Sequence, residues 1–482
     1  MRMKLNPLIA FIALFTFWGA KSYSQSNIEW PQTPSAEIFQ SFVSAYNSGN
    51  RNQIGKFAKS SYANTDEAYL AEKVEYWLDI YHRFGAIKPY SISINQPKDI
   101  EVWVQGTVSK AWFAPEFILD DNYKIKATGM LQGMQPPNVV TPAPSNELFL
   151  ERIINYLDTN EKKGLFQGSV LLHQNGKSIL HKAYGNKNLE SGQMNTIDTR
   201  FDIVSITKVL TAISILQLVQ NGSLELFDPI DQYVPELPIQ LSKNINIFQL
   251  LTHTSYYKLK HLVGFKEAIA DTQDLDEVLA VHLQHIPKLE DYPNFVSSQK
   301  WNYSNQGYDL LAIIVENVTG KTFDSYLQSQ LFDLAGMLNT SFDQTINTAL
   351  PYRYDLDHGG LKDHSAYPSF FGRISGAAQL YSTTSDLLQL FQVINNNDIL
   401  LDDSYKHLLY APLVSRGGSD KQGLGMEISH EPVLSYGHSG VNVGSNSALY
   451  YFPEFDLTLV ALCNNRSGAT NLYNFIKNNL PD

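Results

Sequence analysis

The chain has 482 residues, 43% of them hydrophobic, and a formal net charge of −12. This length and apolar content predict two or three domains with well-filled cores. The acidic balance argues against nucleic acid as a partner, because no strongly basic surface is indicated. Cys463 is the only cysteine, which excludes an internal disulfide, and its apolar neighbours indicate a small buried residue.

The N-terminus has the pattern of an export signal. Two cations precede an apolar run from Leu8 to Trp18, and the small residues Ser22 and Ser24 suit cleavage before Gln25. The alternative is an uncleaved membrane anchor, although the run is shorter than the ~20 residues that a span needs. Loss of residues 1–24 removes three cations and no acid, so the formal charge moves from −12 to −15. We therefore expect a periplasmic or extracellular protein without a membrane span after processing.

Residues 26–134 combine helical and strand patterns. Apolar residues recur with a helical period after Ala36 and again after Asp66, and four alternating, aromatic-rich segments follow. Helices followed by antiparallel strands predict a small α+β domain that resembles the cone-shaped NTF2-like or cystatin-like kind. Its aromatic residues could form the core or line a ligand pocket. They include Trp77, Trp103 and Trp112.

A proline-rich stretch, residues 135–147, predicts a semi-rigid linker to a larger domain, residues 148–482. Alternating residues on both sides of Asn175-Gly176 predict a β-hairpin, and a second hairpin followed by a closing helix over 471–479 ends the chain. Roughly 250 residues between these ends have mainly helix and loop patterns. We expect one antiparallel sheet completed by the two ends, with a helical insertion between them.

Three S-x-x-K sequences occur, starting at Ser205, Ser255 and Ser297, and only the first opens a long apolar helix. Ser205 occupies the position of a helix N-cap, and Lys208 lies one turn further on the same face. An amine held in apolar surroundings loses its charge more easily, so Lys208 could accept the Ser205 proton. The alternative is a capping serine followed by a lysine that extends into solvent.

Two further motifs are Y-S-N at Tyr303 to Asn305, ahead of an apolar helix, and H-S-G at His438 to Gly440, at a strand start. With "LLTHTS", "LFDLAGM" and "LYSTTSDLLQL", their order resembles the serine β-lactamase and D-alanyl-D-alanine peptidase superfamily. The resemblance is to the branch of class C β-lactamases, D-stereospecific peptidases and related esterases, and it covers Gly164 to Leu480. It implies an α+β fold, an antiparallel sheet flanked by helices with an inserted helical domain.

The resemblance also implies a role for each motif residue. Ser205 would be the acylated nucleophile and Lys208 its partner. Tyr303 would relay protons as a phenolate whose pKa the lysine lowers. Asn305 would hydrogen-bond the substrate amide, and His438 stands where penicillin-hydrolysing members have a lysine.

On the same strand, Gly440 would allow close approach to substrate, and the backbone amides of Ser205 and Val441 would form an oxyanion hole. An imidazole with the ordinary pKa of ~6.5 is charged only at lower pH. His438 therefore predicts weak turnover of carboxylate-bearing β-lactams near neutral pH and better activity on neutral esters or amides.

Three positions depart from the family pattern. Tyr256 follows the H-T-S triplet where glycine is usual, Ser297-Ser298 replaces Pro-Gly, and Val441 replaces glycine. All three belong to loops expected around the cleft, so they bear on the substrate more than on the chemistry.

The sequence therefore predicts an exported serine hydrolase that forms an acyl-enzyme on Ser205. Its substrates would be small molecules or peptides: D-amino-acid peptides, esters or, less favoured, β-lactams. The alternative is a catalytically inactive protein that binds peptide or cell-wall fragments. We predict no cofactor and no metal, since the acid- and histidine-rich stretch Asp355–His364 has the pattern of a solvated loop. His253 is expected at a helix end, bonded to backbone; the oligomeric state is not predicted.

Overall fold

The computed structural model describes residues 28–108, 110–132, 136, 139, 145–257, 264–286, 300–344, 347–355, 360–365 and 371–481. The expected export signal, residues 1–24, lies outside these residues, as do most of the expected linker and Ser297-Ser298.

Three helices and a four-stranded antiparallel sheet form the N-terminal region. Each helix starts after a residue whose side chain accepts a backbone N–H bond, namely Thr33, Asn50 and Asp66, which explains where the helices begin. The second helix was not predicted from the sequence. The elements are α1 (Pro34–Asn47), α2 (Arg51–Ser61), α3 (Glu67–Phe84), β1 (Ile87–Gln96), β2 (Asp99–Gly106), β3 (Trp112–Leu119) and β4 (Ile125–Gln132), with the strands paired in that order.

Aromatic side chains fill the core of this region. Trp77 is fully buried, its ring centroid lies 4.5 Å from that of Phe42, and its indole N–H donates to the Tyr62 hydroxyl at 2.9 Å. Trp103 is also buried. Both are therefore core residues, each contributing the large area burial typical of tryptophan.

The larger region opens with a helix and the predicted hairpin. Asn175 and Gly176 both have positive φ, 50° and 73°, as a tight two-residue turn between twisted strands requires. The elements up to the central helix are α4 (Asn146–Lys162), β5 (Gly168–Gln174), β6 (Lys177–Tyr184), β7 (Asn186–Asn188), β8 (Gln193–Met194), β9 (Phe201–Asp202) and α5 (Thr207–Gln220).

The segment that follows is helical, as expected. A capping box between Asn246 and Gln249 starts one of its helices, and the Ser304 side chain caps the longest. These helices are α6 (Ile239–Ser242), α7 (Ile247–Leu251), α8 (Phe265–Ala270), α9 (Leu275–His285), α10 (Asn305–Thr319), α11 (Phe323–Leu327) and α12 (Asp333–Ala335).

The chain then returns to the sheet through short strands and two helices. The remaining elements are β10 (Tyr352–Tyr354), β11 (Leu361–Asp363), β12 (Tyr381–Ser382), α13 (Thr384–Asn396), α14 (Asp403–Leu409), β13 (Val414–Gly417), β14 (Asp420–Gln422), β15 (Glu427–Ser429), β16 (Ser435–Val441), β17 (Asn446–Phe452), β18 (Leu457–Cys463) and α15 (Gly468–Lys477).

One eight-stranded antiparallel sheet organises this region, in the order β13-β14-β15-β16-β17-β18-β5-β6. Strand β18 pairs with β5 from Leu457 opposite Gln174 to Cys463 opposite Gly168, so the two ends of the region complete one sheet, as predicted. Cys463 is buried in it. Helices α4 and α15 belong to the apolar cluster on one face, and α5 to the cluster on the other.

Helix α5 lies at the centre of the apolar cluster on the face of the sheet opposite α4 and α15. Every residue from 207 to 216 is buried, so the helix is enclosed by protein. The 3-10 turn that precedes it, Val204–Ile206, lies beside β16, which brings Ser205 next to the predicted substrate strand. No helix within the described residues is long and apolar enough to cross a membrane.

Candidate active site

A strained turn carries Ser205. Residues Val204–Ile206 form a single 3-10 turn, and α5 begins only at Thr207. The expectation that Ser205 caps this helix is wrong, because Ile206 occupies the cap position and no side-chain bond is made there. The Ser205 hydroxyl is consequently available for other partners.

Val204 has φ = 49°, a conformation that β-branched residues rarely adopt. Its N–H donates to Asp202 Oδ1 at 2.8 Å, and the preceding carbonyl, Ile203, accepts from Ser447 Oγ at 2.7 Å. Such a conformation persists only where the surroundings hold it, and such residues cluster at functional sites.

Gly440 lets β16 pack against this turn. A Cβ at this position would lie 2.7 Å from Val204 Cβ and 2.8 Å from the Ile203 carbonyl oxygen. The Gly440 backbone therefore packs closely against the turn that carries Ser205, and its approach to a substrate stays a prediction. Val441 follows at the exposed end of β16.

Lys208 is completely buried beside Ser205. Its Nζ donates to Ser205 Oγ at 3.1 Å and to the Ala377 carbonyl at 2.8 Å. Desolvation lowers the pKa of Lys208 to about 7, against the opposing effect of the Asp309 and Glu427 carboxylates. The alternative of a lysine extending into solvent is wrong.

Tyr303 lies on the other side of the serine oxygen. Its hydroxyl donates to Ser205 Oγ at 3.0 Å, and Lys208 Nζ lies 5.0 Å from the centre of its ring. Burial raises the pKa of Tyr303 above its ordinary value, and this outweighs the lowering effect of the bond to Ser205. The expected phenolate is therefore wrong for this state: Tyr303 is a neutral hydrogen-bond donor.

The segment before α10 is fixed by the loop after α7. The Ser304 N–H donates to His253 Nδ1 at 3.2 Å, so His253 does bond backbone just beyond a helix end. Ser304 Oγ accepts from the Gly307 N–H at 3.0 Å. The buried Oδ1 of Asn305 has no hydrogen-bond partner among the described residues, which leaves an acceptor two residues from Tyr303.

His438 is buried and neutral. Its Nδ1 lies 2.6 Å from the Ser439 carbonyl; because a carbonyl can only accept, Nδ1 carries the proton and Nε2 is an acceptor. That Nε2 is buried and has no partner in the described part of the chain. Burial lowers the pKa of His438 to about 4, although Glu427 opposes the shift. The expectation of an ordinary imidazole pKa is therefore wrong.

A half-buried ion pair that the sequence did not reveal lies one strand away. Glu427 accepts from the Arg416 guanidinium at 2.7 Å and from the Tyr450 hydroxyl at 2.6 Å. Burial opposes its ionisation, but Arg416 overcomes this and the pKa of Glu427 is lowered to about 2. Arg416 also lies 5.1 Å from the centre of the Trp301 ring. These residues belong to short strands and a loop, where no motif spacing identifies them.

The other candidates from the sequence lie elsewhere. Ser255 Oγ accepts from the Tyr257 N–H at 3.3 Å, and Ser297 lies outside the described residues. The Asp355–His364 stretch begins just after β10 and includes β11, which pairs with β10, and residues 356–359 are not described. Within the described ranges, no group of three or more His, Cys, Asp or Glu side chains is arranged to hold a metal ion.

The sequence of this chain is similar to a known protein family and to individual proteins. A family model described as Beta-lactamase matches residues 155–474, which excludes the N-terminal region. Penicillin-binding protein 4* of Bacillus subtilis strain 168 is 26% identical over 328 residues, which cover 64% of this chain and 70% of that protein.

Solved structures give the same result for the fold. A penicillin-binding protein from Bacillus halodurans superposes with a TM-score of 0.58 at 26% identity, covering 68% of this chain and 98% of its own. D-amino acid amidase from Ochrobactrum anthropi SV3, complexed with L-phenylalanine amide, has a TM-score of 0.57 at 22% identity, covering 68% and 97%. At that identity the second likeness concerns the fold alone.

Proposed function

The chain belongs to the β-lactamase family and is a serine hydrolase of that superfamily, and we propose that it acts through an acyl-enzyme formed on Ser205. The supporting observation is the pair of contacts to one oxygen: Lys208 Nζ at 3.1 Å and the Tyr303 hydroxyl at 3.0 Å from Ser205 Oγ. A nucleophile within hydrogen-bond reach of a base, itself held by a third group, is the arrangement that activates serine.

Acylation follows from the protonation states. Near pH 7 a substantial fraction of Lys208 is neutral, because its pKa is lowered to about 7. The Ser205 oxygen bonds to the substrate carbonyl carbon while its proton passes to the Lys208 amine. Collapse of the tetrahedral intermediate breaks the C–N or C–O bond, and the leaving amine or alcohol departs with that proton, delivered by Lys208 directly or through the Tyr303 hydroxyl. Water then hydrolyses the ester by the same steps in reverse.

The remaining motif residues would bind the substrate. The backbone amides of Ser205 and Val441 would stabilise the oxyanion, an effect of about 2.7–4 kcal/mol for each donor in acyl transfer. Asn305 Oδ1 would accept an N–H of the substrate, which would satisfy an acceptor that has no partner among the described residues.

We infer that the substrates are amides or esters without a carboxylate beside the scissile bond. His438 is neutral, its Nε2 is an acceptor, and Arg416 is already paired with Glu427. A carboxylate needs a cation or a donor, and neither is supplied by these groups. Carboxylate-bearing β-lactams and D-alanyl peptides are therefore disfavoured as substrates.

The test is intact-mass measurement after incubation with a fluorophosphonate and, separately, with a penicillin. We expect a single adduct from the fluorophosphonate, mapping to Ser205, and little stable adduct from the penicillin. Ser205→Ala should abolish the adduct, and Ser255→Ala is the matched control because it removes another S-x-x-K serine. An adduct on Ser255 or Ser297, or one that persists in Ser205→Ala, would refute the proposal.

We also infer that residues 1–24 direct export. The charged start, the apolar run and the small residues Ser22 and Ser24 support a mature protein that begins near Gln25, in the periplasm or outside the cell. N-terminal sequencing of the exported protein tests this inference, and a sequence that starts at Met1 contradicts it.

The N-terminal region, residues 26–134, is proposed to be a domain of its own. Its helices and strands share one apolar cluster, centred on residues such as Trp77 and Phe117. A fragment of residues 26–136 should be soluble, cooperative in unfolding and inactive as a hydrolase. An insoluble or unfolded fragment would count against this boundary.

A further inference from the structure

Near Lys208 lies a buried carboxylate that no motif includes. Asp309 is on α10, six residues after Tyr303, and its residue is only 4% exposed. A buried carboxylate is costly unless it is bonded or paired. Its surroundings therefore show what it does for the site.

Asp309 holds a short segment of chain, residues 375–377. Its Oδ1 accepts from Ser375 Oγ at 2.6 Å, and a further backbone bond comes from Gly376. Ser375 Oγ in turn accepts from the Ala377 N–H at 3.0 Å. The Ser375 hydroxyl and the Gly376 N–H are thereby directed at Asp309 on α10, whereas the carbonyls of Gly376 and Ala377 face α5.

Two carbonyls of this segment accept hydrogen bonds from side chains near the start of α5. Ala377 O accepts from Lys208 Nζ at 2.8 Å, and Gly376 O accepts from Thr211 Oγ1 at 2.7 Å. Gly376 permits this arrangement, because a Cβ there would collide with the Tyr308 carbonyl and lie 2.9 Å from Ala312 Cβ. The segment therefore packs closely between α10 and α5 and is hydrogen-bonded to both.

We propose that Asp309 is a positioning residue of the reaction: it fixes the segment whose carbonyl aims the Lys208 amine at Ser205, and it supplies the negative charge that accompanies that amine. This inference rests on the proposed function of Ser205 and Lys208. Asp309 touches neither substrate nor the reacting atoms.

The negative charge of Asp309 also acts on the pKa of Lys208, and the direction of this effect follows from the surroundings of the two groups. Burial lowers the pKa of Lys208, and Asp309 is the largest opposing influence upon it. Burial raises the pKa of Asp309, and Lys208 is among the groups that lower it. Loss of the Asp309 charge should therefore lower the pKa of Lys208 further and make the amine a base at lower pH.

Other titratable groups also face Lys208 and Asp309 and contribute to the electrostatics around them. His282 on α9 has its Nε2 3.9 Å from Asp309 Oδ2, and burial lowers its pKa to about 3, so it is neutral. Among the described residues, the other titratable or charged groups around the pair include Tyr303, Tyr308, Glu427, His438 and, beside His282, Tyr257 and His285.

The test is the rate of Ser205 labelling by a fluorophosphonate between pH 5 and 9, followed by intact mass in the full chain. In the wild type the rate should rise with pH through about 7, the pKa of Lys208. In Asp309→Asn the rise should move to lower pH by about one unit, the low end of a nearby-charge effect. The plateau at high pH should also fall, because the Ala377 carbonyl is less well fixed.

A second variant keeps the carboxylate. Ser375→Ala removes one bond that stabilises the Asp309 anion and should move the rise in the same direction by less, which keeps the test available should Asp309→Asn not fold. Asp386→Asn is the matched control: Asp386 is also buried and hydrogen-bonded, at 2.8 Å to Thr340, outside the site. It should lower thermal stability and leave the rise in place.

The outcomes separate the two claims. A wild type that is never labelled on Ser205 removes the proposed function and this inference with it. A labelled wild type whose pH profile stays the same in Asp309→Asn and Ser375→Ala overturns only the inference, even if the plateau falls, since a purely structural residue lowers the rate without moving the profile.

Discussion

Two buried serine–lysine pairs lie in the same sheet-containing region, and only one is proposed to react. At the start of α5, Ser205 Oγ accepts from Lys208 and Tyr303. At the other end of the chain, Lys477 Nζ on α15 donates to Ser429 Oγ at 2.7 Å. Both lysines are buried, and burial lowers the pKa of both, to about 7 and about 8.

The difference lies in where the hydroxyl proton is held. Ser429 Oγ donates to Asp420 Oδ1 at 2.8 Å, so its proton is directed at a carboxylate while the lysine supplies the second bond. Within the described part of the chain, no carboxylate is hydrogen-bonded to Ser205 Oγ; the carboxylate near Lys208, Asp309, acts through the backbone segment of residues 375–377. We therefore expect that a serine–lysine contact is not sufficient for nucleophilic activation and that the third group decides.

The largest effect that we expect is the difference in kcat/KM between variants of Ser205 and Ser429. Ser205→Ala should reduce kcat/KM for a neutral aryl ester by about 10³-fold or more, because no other described group replaces the nucleophile. Ser429→Ala should leave kcat/KM within about threefold. Steady-state kinetics of both variants measure this. Equal losses in the two would break the comparison.

Substitution of Lys208 should mainly lower activity, whereas substitution of Lys477 should mainly lower stability. Lys208→Met should reduce kcat by about 10²–10⁴-fold, the range for loss of a general base. Lys477→Met should leave kcat within about threefold but lower the urea midpoint, because it removes a hydrogen bond to the buried Ser429 hydroxyl, whose other partner, Asp420, is exposed.

Lys208 also has a stability signature with a definite sign. Its pKa is lower in the folded than in the unfolded chain, so the unfolded chain binds more protons between about pH 7 and 10.5, and stability rises with pH over that interval. Lys208→Met removes this contribution and should flatten the rise. Urea titrations at pH 7 and 9.5 test it, and an unchanged slope would contradict a depressed lysine pKa.

The pH dependence of activity sharpens the same contrast. The base form of Lys208 is the neutral amine, so kcat/KM should rise as pH increases through about 7 and then level off. Lys477→Met should keep this profile. A profile that is flat between pH 6 and 8 would show that Lys208 does not limit acylation.

The smallest expected effect concerns His438. Because burial lowers its pKa to about 4, a substrate with a carboxylate and its methyl ester should show the same pH profile from about 5.5 to 9. His438→Lys should separate the two profiles by improving the carboxylate substrate. Only the difference between the matched substrates is diagnostic, since Lys208 titrates in the same site and affects both. Selective loss of the carboxylate substrate between pH 5.5 and 7.5 in the wild type would show a charged His438.

Local patterns in the sequence determined the fold class and the candidate residues. The Asn175-Gly176 turn and the alternating runs at both ends predicted one antiparallel sheet, because strand period and turn chemistry are properties of neighbouring residues. The order of the three motifs pointed to the family. The helix α2 was missed because it is short, polar on average and interrupted by Gly55, a poor helix former, although its few apolar residues recur with a helical period.

The tertiary structure alone decided the environment of each candidate. Ser205 was expected to cap α5, but the strained Val204 turn and the packing of Gly440 against it replaced that cap. Tyr303 and His438 were assigned a phenolate and an ordinary imidazole, but burial raises the first pKa and lowers the second. Burial and the charges of distant strands set a pKa, and neither can be read from neighbouring residues. For the same reason Asp309 and Glu427 came to light only in the folded chain: spacing along a sequence identifies residues of one helix or strand, whereas the groups that set the charge of Lys208 arrive from other elements.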